Sequence, residues 1–140
     1  MRTRPTVIYF SPADRPVPEH VVKWIGEKEL SLVHHVDRKA VESIAIRNPP
    51  LMVMIDADGD VADGLALCET LKADAYTAVV PVTLLASCHP NEQVGAWFEA
   101  GADEIITPLF EKAEQRSRLE GLLLRTERNV SVHPKGSIVG

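Results

Sequence analysis

Cysteine, positive charge and long apolar runs are all scarce in this chain, and each scarcity excludes a class of protein. Two cysteines, Cys68 and Cys88, cannot staple a disulfide framework and form no Cys-x-x-Cys pair. The chain carries 15 Lys and Arg against 20 Asp and Glu, a net charge of −5, which is the wrong balance for a nucleic-acid surface. No apolar run approaches the roughly 20 residues that span a bilayer; the longest are broken by Asp56 and Ser87. Arg2 and Arg4 are followed by no signal-peptide core of about 7–15 apolar residues. With the reduced thiols, this predicts a cytoplasmic chain that binds neither nucleic acid nor membrane.

What is present is the composition of a folded domain: 140 residues, 45% hydrophobic and 25% charged. One domain is expected, with about two thirds of the unfolded surface buried.

Hydrophobic periods switch repeatedly along the chain. Thr6 to Phe10 reads as a strand and stops at Ser11-Pro12. Val21, Val22, Trp24 and Ile25 mark a helix ending near Gly26, and Leu30 to Val36 returns to strand character, with His34 and His35 expected on opposite faces, one packed and one exposed. Asp37 caps a helix with Ala40, Val41, Ile44 and Ala45 at helical spacing, stopped by Asn48-Pro49-Pro50. Leu51 to Ile55 is a continuous apolar run, as a strand covered on both faces requires. A helix with Leu65, Ala66, Cys68 and Leu71 follows, then a strand over Val79 to Ala86. Asn91 to Ala100 is predicted helical, with Val94 and Phe98 facing inward and Trp97 one step round at the edge. Glu104 to Thr107 is a short strand, Glu111 to about Arg128 a charged helix, and Val130 to Gly140 a tail.

Five strands alternating with five helices predict an α/β fold: a doubly wound, five-stranded parallel sheet of flavodoxin-like type. The working site of such a sheet lies beyond the carboxyl ends of its strands. Those ends hold Ser11 and Pro12, Asp56, Ser87 and Cys88, and Thr107 and Pro108.

Residues 5–128 resemble the receiver domain of two-component response regulators (CheY-like). The likeness rests on Pro50-Leu51-Met52-Val53-Met54-Ile55-Asp56, then Asp63-Gly64, then Pro81 to Ser87, then Gly101-Ala102-Asp103. It implies that Asp56 occupies the phosphoacceptor position. An aspartyl nucleophile needs its charge neutralised before a phosphoryl group can approach, and the family supplies Mg²⁺ on an acidic pair plus a lysine. Here the acidic pair is replaced by Ser11 and Pro12 and the lysine by Pro108; the switch hydroxyl becomes Ala86 and the switch aromatic Ile105. The resemblance is therefore to a degenerate, or pseudo-receiver, type with no enzymatic activity and no resident cofactor. Mg²⁺ would need ligands from elsewhere, such as Asp14 or the acids Asp58, Asp60 and Asp63.

Other constellations carry less. Asp56-Ala57-Asp58-Gly59-Asp60 looks like a calcium loop, but Val61 and Leu67 stand where an EF-hand needs Gly and Glu. Ser87-Cys88-His89 and His133 form no triad. Trp97 is the expected interface anchor, because the face from fourth to fifth helix serves dimers in many receivers. Arg116, Arg118, Arg125 and Arg128 among glutamates read as a solvated face or a dimer seam. Residues 129–140 read as a linker toward an effector domain, with a faint likeness to the lead-in of diguanylate-cyclase domains. Three functions follow: an interaction module in signalling without phosphoryl transfer, an atypical phosphoacceptor phosphorylated on Asp56 by a histidine kinase, and a ligand-binding α/β domain.

Overall fold

The computed structural model describes residues 4–58, 60–86 and 93–132, with side chains omitted at 93–94 and 127–132. Ser87, Cys88, His89 and His133 lie outside that description.

The chain runs β1 (Thr6–Phe10), α1 (Glu19–Glu27), β2 (Ser31–His35), α2 (Arg38–Arg47), β3 (Met52–Asp56), α3 (Val61–Ala73), β4 (Val82–Leu85), α4 (Gln93–Glu99), β5 (Glu104–Ile106) and α5 (Lys112–Val132). The strands form one sheet in the order β2-β1-β3-β4-β5, and every pairing is parallel. This is the flavodoxin-like winding that the alternation predicts.

Strand alternation divides the core in two. Ile8, Phe10, Val53, Ile55, Val82, Leu84 and Ile105 pack with α2, α3 and α4 residues such as Val41, Leu67, Leu71 and Trp97. Val7, Tyr9, Met52, Met54, Leu85 and Ile106 meet Val21, Trp24, Leu119 and Leu122 of α1 and α5. Each face of a central strand thus has its own helical cover, which is why β3 is buried at all five positions. Helix starts follow their caps: Asp37 accepts the Lys39 N–H and Asp60 accepts the Asp63 N–H.

Four expectations need correction. β4 begins at Val82, because Val79 and Val80 form a turn in which the Val80 N–H donates to the Thr77 carbonyl. Neither His34 nor His35 is buried, because β2 is an edge strand and α2 covers little of it. Helix α5 continues through Val132, so residues 130–132 are helix rather than tail.

The fourth correction concerns Trp97, which is 3% exposed and packs inward, while Phe98 is 43% exposed. Its indole Cη2 lies 2.7 Å from where a Cβ on Gly64 would sit. The missing side chain on α3 makes the room that brings Trp97, rather than Phe98, into the core. A buried ring cannot anchor a partner, so Trp97 is not an interface residue.

Candidate functional site

Ser11 and Asp56 each stand one residue beyond the paired Phe10 and Ile55, at adjacent strand ends. Asp56 is 3% exposed and Ser11 fully buried. The Ser11 hydroxyl donates to Asp56 Oδ2 at 2.8 Å, while the Asp58 N–H donates to Asp56 Oδ1 at 2.9 Å. Both carboxylate oxygens are therefore engaged. The Ser11 oxygen in turn accepts the Arg15 backbone N–H at 2.9 Å.

Arg15 brings its side chain back over the same carboxylates. Its Nε lies 3.7 Å from Asp56 Oδ2, and a terminal guanidinium nitrogen lies 3.7 Å from Asp58 Oδ2. The turn that reverses the chain runs from Ser11 to Asp14, whose N–H donates to the Ser11 carbonyl and whose φ is +57°. An aspartate tolerates that left-handed conformation better than most residues.

Around these groups is a cavity of about 130 Å³ lined by Tyr9, Arg15, His20, Ala86, Pro108 and Gln115 among others. The Gln115 amide nitrogen donates to the Phe110 carbonyl at 2.9 Å, which leaves its oxygen to accept from His20 Nε2 at 2.5 Å. Burial, and then the Asp56 charge, push the Tyr9 phenol up to about 12.

The residues picked out in the sequence distribute as follows. Asp56, Ser11, Ala86 and Pro108 come together, and Ile105 is buried on the α2–α4 side of the sheet. Asp14 does not reach the site: its side chain is 79% exposed and its carboxylate lies 3.7 Å from His34 Nε2. The acidic loop does not converge either, because Asp60 caps α3 and Asp63 accepts from Arg38 Nε at 2.8 Å. Arginines of α5 are tied within the chain, Arg116 to Glu27 and Arg118 to Glu104 and Glu114. Arg15, Tyr9, His20 and Gln115 were not picked out. The signal for Arg15 was legible: it is the one Lys or Arg between Phe10 and Glu19.

These side chains do not fit the divalent ion that the receiver resemblance implies. A serine whose hydroxyl donates a hydrogen bond to Asp56 replaces one acid, a proline without side-chain donor atoms replaces the next, and a guanidinium already faces the carboxylates of Asp56 and Asp58. Among the described residues no cluster of three His, Cys, Asp or Glu side chains could hold a metal.

No family model matches the chain. Over 93 residues it is 31% identical to the DNA-binding dual master transcriptional regulator RpaA of Synechocystis, a match covering 66% of this chain and 39% of that protein. The chain thus spans about two fifths of that relative's length. The fold superimposes on chemotaxis response regulator CheY4 of Vibrio cholerae with a TM-score of 0.68 at 13% identity, covering 86% of this chain and 100% of the other. It matches the receiver domain of a signal transduction histidine kinase from Syntrophus aciditrophicus with a TM-score of 0.67 at 23% identity, covering 85% and 89%.

Proposed function

From the premise that this chain has the receiver fold, we propose that it is a module of two-component signalling that works by protein contact and not by phosphoryl transfer. One observation carries the reading: the Ser11 hydroxyl spends its proton on Asp56, at the place where the family would put a metal-binding carboxylate. Phosphoryl transfer to a carboxylate depends on cations that relieve repulsion between nucleophile and phosphate. Pro108 offers none where the family has lysine, and Ala86 and Ile105 lack the groups that would report a phosphoryl group.

The partner is a protein or an effector domain on the same longer chain, as the extent of the relative's sequence suggests. No described helix is long and apolar enough to cross a membrane, and the reading places the module in the cytoplasm. The surface from α4 to α5 carries exposed Phe98, Leu109 and Leu124, the side chains that a second copy or an effector would cover.

Acetyl phosphate with Mg²⁺, followed by intact-mass spectrometry, tests the chemistry. The expected result is an unmodified mass, with no saturable change in tryptophan fluorescence on adding beryllofluoride. A phosphoryl adduct that disappears in Asp56→Asn would overturn the reading. It would establish Asp56 as an atypical acceptor and favour the alternative in which a histidine kinase is the donor.

A further inference from the structure

We infer that Arg15 takes the place of a divalent cation at Asp56, forming a latch that closes the β1–α1 loop over β3 and excludes metal. The inference deepens the reading above and concerns the same site. Three features of the β1–α1 loop support it, all of them centred on Arg15.

The first is bridging. The guanidinium faces Asp56 with Nε and Asp58 with a terminal nitrogen, both at 3.7 Å, so one cation addresses two carboxylates as a divalent ion would. The second is anchoring. The Arg15 N–H donates to the hydroxyl that itself donates to Asp56, so the arginine backbone and the buried carboxylate share one oxygen as their connection. The third is the loop conformation. Asp14 at φ +57° follows the Ser11–Asp14 turn and directs the next residue back over the strand ends.

Serine and a bound metal are alternatives at position 11. A carboxylate there has no proton to give Asp56, and two facing carboxylates need a cation between them. A serine hydroxyl donates a hydrogen bond to Asp56 without adding a second negative charge, which leaves the carboxylate charge to be met by Arg15. The guanidinium is permanently charged, so this compensation is independent of metal concentration.

The test is a Mn²⁺ titration of the full chain followed by water-proton relaxation. Wild type should show no saturable binding. The triple variant Ser11→Asp, Pro12→Asp, Arg15→Ala should bind one Mn²⁺, and adding Asp56→Asn should abolish that binding. Saturable binding by wild type that is lost in Asp56→Asn would overturn the inference, as would a triple variant that is folded by circular dichroism yet binds nothing. Should the triple variant not fold, the Arg15 Nε–H resonance decides the matter. An Nε–H chemical shift distinct from that of free arginine in wild type, moving toward the free value in Asp56→Asn, supports the latch, and an unchanged shift overturns it. Failure of the function reading looks different: acetyl phosphate would label Asp56, whatever the Mn²⁺ titration shows.

Discussion

Tyr9 is 2% exposed, one residue before the strand end that presents Ser11, and its ionisation is the chain's clearest alkaline liability. Burial and the Asp56 charge raise the phenol from 10 to about 12, so between those values the unfolded chain has lost a proton that the folded chain keeps. The Tyr9 contribution is therefore fully present below pH 10 and is lost as pH rises toward 12, about 3 kcal/mol at most, two pK units at 1.36 kcal/mol each. Burial raises the Cys68 thiol from 9 to about 11, which adds to the loss in an overlapping window. Urea unfolding of Tyr9→Phe at increasing pH should show a shallower decline than wild type; parallel curves would refute the assignment. Gly64 is the second sensitive residue. An added Cβ would meet Trp97 at 2.7 Å and Ile55 at 3.1 Å, so Gly64→Ala should destabilise by about 1–2 kcal/mol despite its better helix propensity. Combining it with Trp97→Phe should recover part of that loss, and purely additive urea midpoints would argue against the contact. The Ser11–Asp56 bond joins residues 45 apart, so nothing local in the sequence announces it. Asp56 was legible because strand, Asp-Gly pair and spacing all pointed to it; Ser11 was legible as a neighbouring position, but the bond between the two was not.

At the scale of elements, the sequence marked most boundaries through punctuation. Asn48-Pro49-Pro50 ends α2 and Asp37 begins it, both by backbone chemistry that acts locally. Errors arose where a distant side chain decided. Val79-Val80 has strand composition, yet Lys72 reaches from α3 to donate to the Ala78 and Val80 carbonyls at 3.0 and 2.8 Å, holding this stretch as a turn. The same ammonium donates to Asp103 Oδ2 at 2.9 Å, and that oxygen also accepts the Val82 N–H. One lysine thereby joins α3, the start of β4 and the approach to β5. Lys72→Met keeps most of the stem and removes the charge, and it should cost about 2–3 kcal/mol, read as a lower urea midpoint with an unchanged slope. A change under about 0.5 kcal/mol would mean that the turn holds without it. In α4 the adjacent Trp97 and Phe98 could each have faced inward by period alone. The glycine on α3 made the choice, through a contact that no helical pattern encodes.

For the molecule as a whole, the latch at Asp56 predicts indifference to divalent cations. A site filled to one hundred times its Kd would stabilise the native state by about 2.7 kcal/mol. Thermal unfolding of the full chain should instead give the same Tm with Mg²⁺ as with an equal ionic strength of NaCl. A Tm that climbs with Mg²⁺ concentration, and does so only while Asp56 is present, would contradict this. Fold class was the most legible property at this scale, because alternating strands and helices leave few ways to cover both faces of a parallel sheet.

The strand order carries a consequence for synthesis. β1 lies between β2 and β3, so both of its edges are covered by strands made soon after it, and the unit β2-β1-β3 is complete once Asp56 has been added. Everything later extends the sheet on one flank only, β4 onto β3 and β5 onto β4, in the order in which the residues appear. A chain emerging amino terminus first can therefore lay down its sheet without waiting for a distant strand to fill a gap. The innermost carboxylate, on the last strand of that first unit, has its serine and arginine already present when it arrives.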